Sequence, residues 1–250
     1  MTVSVGRTPA AVFFRMVACP DGPTPGSERL LELLGRPLPH NARFMTDAGT
    51  LFLTATLPAA CDPAGERAAW LKALLEAAGT GLRHETAGSA ATDDLAEMVR
   101  GIAAGKGWLV RDGEGRAVRL AVPAEPDMPP LAVSPVPGGL LVERALPLLP
   151  VRQAAPVVRA AFAHALCRLN RVLVFARARV HDPTALTVGV ESQLAAGADE
   201  DEVEHALEGV RHGARHATGV LECVRHGAVA EELAIALDLP EKVRELRQEG

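Results

Sequence analysis

Two stretches of this chain, about 135 residues apart, carry the same succession of patterns, which is the mark of a repeated supersecondary unit. Leu30, Leu31 and Leu34 of the first fall on Ala165, Leu166 and Leu169 of the second. The turn Asp47-Ala48-Gly49 falls on Asp182-Pro183-Thr184, and Leu51 and Leu53 fall on Leu186 and Val188. After a slip of one residue, Leu71, Leu74 and Ala78 fall on Leu207, Val210 and Ala214. Each stretch reads as strand, helix, strand, hairpin turn, strand, acidic helix start and helix. Any two helix–hairpin–helix stretches share part of that order; the run of matched positions favours an internal duplication.

The spacing of apolar residues and turn formers predicts an α+β protein, an antiparallel sheet with packed helices. A strand is predicted over 11–18, a helix capped by Ser27 over 28–34, and a hairpin of strands 42–46 and 50–57. A helix opens at Asp62 or Pro63 and runs to Ala78. The small, polar stretch 79–91 is the best domain boundary, dividing a truncated half-repeat, 1–88, from a full module, 89–250. In the second part, Thr92 caps a helix to about Ala104, followed by strands 108–111, 117–122, 131–136 and 140–146. A long helix over 151–169, strands 173–180 and 186–193, a helix from Asp199 to about His226 and a short one over 229–237 complete the reading.

Composition narrows the function. Hydrophobic residues are 48% of 250 but aromatics only 3%, with no Tyr, so the core is aliphatic and stacking platforms for bases or sugars are scarce. The net charge of −5 lacks the basic field that direct nucleic-acid or anionic-membrane binding needs. Cys19, Cys61, Cys167 and Cys223 are scattered with no CxxC, which points to reduced thiols and a cytoplasmic address. No apolar run reaches the roughly 20 residues of a membrane span. The opening segment, broken by Arg15, reads as a strand and not as a signal peptide.

The order of elements from Thr92 to about Leu237 resembles the type III secretion chaperone-like fold and the YbjN-like proteins that share it. The residues that carry the likeness are the helix 151–169, its exit Leu169-Asn170-Arg171, the hairpin 177–193 and the helix start Asp199-Glu200-Asp201-Glu202. The first 88 residues look like a truncated copy lacking the first helix and hairpin. The resemblance implies a non-enzymatic, homodimeric or pseudo-dimeric bacterial protein that binds client proteins, with no cofactor. The extra half-copy departs from the single-domain pattern of secretion chaperones and stands where a partner subunit would.

Several constellations are weighed against that expectation. Leu140, Leu141, Val142, Leu146, Leu148 and Leu149 are too many for one strand face, and mark a candidate partner-binding surface. Gly209, Gly213 and Gly219 lie on one long helix, where each glycine costs roughly 1 kcal/mol relative to alanine, so they suggest close packing or an interface helix. His212 and His216 stand four apart, the spacing at which two imidazoles share a metal, with His205, Cys223 and His226 on the same segment. Arg211, Arg215 and Arg225 crowd them with positive charge, no HExxH is present, and a solvated face is the simpler reading. Arg36, Arg43, Arg168, Arg171, Arg177 and Arg179 gather around the two matched hairpins as ordinary strand-face charges or as a basic strip.

The leading expectation is a chaperone-like module that captures a client protein, possible clients including a basic or nucleic-acid-binding one. The alternative is an enzyme or a metal- or small-ligand-binding protein with its site on helix 202–226. No catalytic motif supports the alternative: the glycine pairs at Gly105 and Gly113 match neither a P-loop nor a dinucleotide fingerprint.

Overall fold

The computed structural model describes residues 3–7, 11–17, 26–36, 38, 42–47, 50–58, 89–114, 116–148 and 155–225. The chain is α+β. Strands β1 (Val3–Arg7) and β2 (Ala11–Val17) form an antiparallel hairpin in which Val5 faces Phe14. Helix α1 (Ser27–Leu34) follows, and then β3 (Arg43–Asp47) and β4 (Thr50–Pro58), which close on Asp47 opposite Thr50. These four strands make one antiparallel sheet in the order β1-β2-β4-β3.

The rest forms a second sheet. Helix α2 (Ser89–Gly105) leads into β5 (Leu109–Asp112), β6 (Val118–Ala121), β7 (Leu131–Val136) and β8 (Gly139–Ala145). Helix α3 (Pro156–Val172), β9 (Arg177–Asp182), β10 (Thr187–Ala195) and α4 (Glu200–Arg225) follow. The sheet order is β5-β6-β7-β8-β10-β9, antiparallel throughout. Its inner run β7-β8-β10-β9 has the same sequence order and pairing as β1-β2-β4-β3.

Local chemistry explains the elements. Gly138 takes φ +84, a left-handed value that L side chains resist, and so permits the tight turn between Val136 and Gly139. The Asp199 carboxylate accepts the Glu202 N–H at 2.9 Å while Glu202 reaches back to the Asp199 N–H, a capping box that starts α4. Asp182 accepts the N–H groups of Thr184 and Ala185 and so holds the turn before β10. In α1, Leu30, Leu31, Leu33 and Leu34 are all buried. Burial of each stabilises by roughly 1.5–3 kcal/mol, so a helix of only eight residues is held by packing and not by propensity.

One core runs through both parts. Val118, Leu120, Leu131, Val133, Leu140 and Val142 alternate along β6, β7 and β8 and bury one face of the larger sheet. Helix α4 covers β8, β9 and β10 on that face, and α2 covers β5, β6 and β8. Helix α1 packs on α3, and α3 also packs on β3, so the four-stranded and six-stranded parts are joined side by side.

Several boundaries differ from the sequence expectation. Residues 173–176 are not strand: the Leu173 N–H caps α3 on Leu169 O, and Arg43 takes Val174 O, so the chain is committed to a crossing there. Thr92 lies inside α2, buried, and does not cap it. Gly26, not Ser27, is the N-cap of α1. Val3–Arg7 is a strand of its own. The two hairpins differ by two residues in turn length: Asp47 faces Thr50, whereas Asp182 faces Thr187. Matched by register from that pair, Leu51 and Leu53 fall on Val188 and Val190, not on Leu186 and Val188. Leu186 is in the longer turn, at φ 51. The expected helices over 62–78 and 229–237, most of the boundary 79–91 and the matched Leu71, Leu74 and Ala78 lie outside the described residues.

Candidate functional site

Two polar clusters sit where strands would otherwise bury only apolar groups. The first lies between the four-stranded and the six-stranded parts. Arg43 on β3 donates to Asn170 O at 2.7 Å and to Val174 O at 3.2 Å. Arg177 on β9 donates back to Ala42 O at 2.7 Å, and Arg179 to Gly35 O at 3.2 Å. Asn170, at the end of α3, donates to Phe44 O on one edge strand and to Ala178 O on the other, and its own oxygen accepts the Ala178 N–H. One amide side chain therefore brackets β3 and β9. Burial, and then the nearby Arg177, lower the Arg43 guanidinium to about 10.

Glu191 on β10 is the anion of this seam. It is 1% exposed and accepts from both Arg177 and Arg179. Burial alone pushes its carboxyl up, but the two guanidiniums outweigh burial and hold it below the ordinary carboxylate range. Glu143 and His181 stand next to it on neighbouring strands, with His181 Nε2 3.2 Å from Glu143. His181 fits there because Gly189 lies beneath it: a Cβ on that residue would come within 2.6 Å of the ring. The three side chains have ligand atoms within 4.8 Å of one another. Two guanidiniums already on Glu191 oppose the approach of a dication.

The second cluster lies at the far side of the larger sheet. Arg144, fully buried on β8, pairs with Glu125 and donates to Pro129 O at 2.7 Å. Glu125 also accepts from Arg211 on α4 at 2.9 Å. Arg211 reaches Glu208, which takes Lys106 at 3.1 Å, and Lys106 in turn meets Glu204 at 2.5 Å. This chain edges a cavity of about 420 Å³ lined by Lys106, Trp108, Val122, Glu208 and Arg211 among others. Burial raises Glu125 and Glu208, but Arg144 and Arg211 prevail and both carboxyls titrate below their usual range. Glu204, and then Glu208, raise Lys106. Carboxylates pinned as anions are poor proton donors near neutral pH, and the cluster is built as a tie between α2, α4 and β8.

The residues singled out in the sequence are dispersed by the fold. Leu140 and Val142 on β8, and Leu146 and Leu148 just beyond its end, are buried in this chain's own core, and β8 alternates through Arg144 on the same face. They offer no open surface, and the aliphatic excess is absorbed internally. Leu141 is half-buried on the opposite face, and Leu149 lies outside the described residues. Gly213 permits a close approach: a Cβ there would meet Leu173 at 2.9 Å and Val190 at 3.1 Å. Gly209 faces Phe175 and Ala176 at ordinary contact distance, while among the described residues nothing lies within 4 Å of a Cβ built on Gly219. The glycine helix thus packs on β10 and the 173–176 crossing, within the chain.

His212 and His216 are exposed; His212 is engaged by Arg211 at 2.7 Å and Glu208 at 3.3 Å. His205 bonds Asp201 O and lies against Phe175. Among the described residues no third ligand joins His212 and His216. Cys223 is exposed, and His226 lies outside the described residues. Of the arginine strip, Arg43, Arg177 and Arg179 turn inward to the seam, and Arg171 pairs with Asp47 at 3.2 Å. The sequence reading gathered the arginines of the first cluster without their partner Glu191, and did not gather the second cluster. Arg144 left a signal, a charge at an inward position of an alternating strand, but Glu125 sits in a Pro-rich loop with no periodicity to place it.

No family model and no curated protein matches this chain. No described helix is long and apolar enough to cross a membrane.

Proposed function

We propose that this chain is a non-catalytic, cytoplasmic, chaperone-like module that captures a client protein, a tandem and partly duplicated form of the type III secretion chaperone-like and YbjN-like fold. The observation that carries the reading is the shared order of β1-β2-β4-β3 and β7-β8-β10-β9, with the half-copy joined to the full module through α1, α3 and the Asn170 bracket. A half-copy so placed takes the position of a second subunit. The full module supports the likeness through its order: one helix, four strands, a helix, two strands and a helix. The chemistry points the same way. Seven of the buried polar residues (Arg43, Thr54, Glu125, Arg144, Asn170, Arg177 and Glu191) are engaged in contacts that join elements. A net charge of −5 suits a basic client, including one that itself binds nucleic acid.

The test uses the full chain as bait to identify a partner and then rebuilds the complex from two purified proteins. A stoichiometric complex that survives gel filtration, and that His212→Ala with His216→Ala leaves intact, is the expected result. If that double variant abolishes the chain's biological activity while circular dichroism shows the fold unchanged, the site is on α4 and the module reading is wrong.

A further inference from the structure

The two sheets can be laid over each other residue by residue, because their registers agree. Arg43 faces Thr54, and Arg177 faces Glu191. Thr54 also faces Arg15 on β2, and Glu191 faces Glu143 on β8. One strand further out, Arg15 faces Ser4 and Glu143 faces Ala132. Val3, Ser4 and Val5 of β1 therefore hold the register positions of Leu131, Ala132 and Val133 of β7. In the larger sheet that edge is filled: Leu131, Ala132 and Val133 pair with Leu120, Arg119 and Val118 of β6. In the smaller sheet, among the described residues, β1 pairs with β2 alone. The inner edge differs. There Asn170 takes Phe44 O of β3 and both the O and the N–H of Ala178 on β9, and Arg177 takes Ala42 O just before β3.

We infer that the outer edge of β1 is the docking site for an extended segment of a partner protein, which adds antiparallel as a fifth strand at the place β6 takes in the full module. The inference rests on the binding-module reading and names its site. The internal copy states what fits. In β6, Val118 and Leu120 are buried at 1% and 0%, while Arg119 between them is exposed. The segment has aliphatic residues at alternate positions and a basic or polar residue between them. Main-chain hydrogen bonds hold it, the alternating side chains set its specificity, and a basic residue suits a chain of net charge −5.

The probe is a labelled peptide with the sequence of residues 116–122, RAVRLAV, added to the full chain, with a control peptide carrying Val118→Lys and Leu120→Lys. Binding is followed by fluorescence anisotropy and located by amide hydrogen exchange. At ten times its dissociation constant the peptide slows exchange in Val3–Arg7 about tenfold, and the control does not. Absence of binding, or protection at Leu109–Asp112 in place of β1, overturns the inference. So does a free chain in which the β1 amides already exchange as slowly as those of β7. Slow exchange that persists on dilution assigns the edge to another segment of this chain, and slow exchange lost on dilution assigns it to a second copy. A rebuilt client complex that leaves β1 exchanging freely refutes this docking site while the module reading stands. Failure to form any complex refutes the module reading itself.

Discussion

Arg144 shows how a charge is kept in a core. It is fully buried, its Nη1 pairs with Glu125, and its Nη2 has no hydrogen-bond partner among the described residues. Register matches it to Met16 of β2 in the smaller sheet, also buried. The fold thus holds both an ionic and an apolar solution at one position. Arg144→Ala leaves Glu125 short of its closest cation and is expected to cost about 3–5 kcal/mol in urea unfolding. Arg144→Met combined with Glu125→Leu is expected to recover most of that loss, as apolar substitutes for buried pairs often do. A double variant as unstable as Arg144→Ala would show that the Pro129 contact, not the ion pair, organises the loop. Glu191 gives a pH signature. Its pKa is depressed in the folded state, so its contribution is complete above the unfolded glutamate value of about 4.3 and is lost as pH falls through the lower folded value. Glu191→Gln is expected to cost about 1.5–3 kcal/mol at pH 7, and the gap to the parent should narrow as pH falls below the unfolded value and through the depressed folded one. A gap that stays constant with pH would mean the carboxylate charge plays no part.

Among the elements, α4 separates two kinds of glycine. A Cβ on Gly213 would lie 2.9 Å from Leu173 and 3.1 Å from Val190, so those side chains would have to shift, whereas one on Gly219 meets nothing within 4 Å among the described residues. Gly219→Ala should raise stability by up to roughly 1 kcal/mol through helix propensity alone. Gly213→Ala has the same propensity gain but is expected to lower stability by about 1–3 kcal/mol, because the added methyl overpacks α4 against β10. Thermal unfolding of the two variants, read side by side, checks both; equal shifts would refute the packing argument. This contrast also marks the limit of sequence reading. Three glycines on one helix look alike as letters, and only the neighbour across the sheet tells them apart. The hairpins at Gly138 and Asp182 and the capping box at Asp199 were legible because their chemistry is local. Asn170 was not, since its partners Phe44 and Ala178 lie 126 and 8 residues away and only the fold unites them. The aliphatic run at Leu140 misled for the converse reason: Arg144 interrupts it, so one strand face and the helices above it suffice to bury it.

At the scale of the whole molecule, the first part packs on the second through α1 on α3 and α3 on β3, and on the proposed reading it stands where a second subunit would. The full chain is expected to run as a monomer near 26 kDa in light scattering at micromolar concentration. A fragment of residues 89–250 uncovers α3 and the β9 edge, and is expected to self-associate or to aggregate. A fragment that stays monomeric and as stable as the parent would show that the first part is an appendage. The strand edges carry a last consequence, which concerns polymers. A molecule whose outer strands β1 and β5 are, among the described residues, each paired on one side only has unlike edges of the kind from which head-to-tail fibres grow. Growth needs both ends. Strand β5 is only four residues long, and Arg111 and Asp112 stand exposed on it. That length and charge blunt one end, so strand addition at the other stops after a single guest and the chain is spared the fate of a fibre-forming repeat.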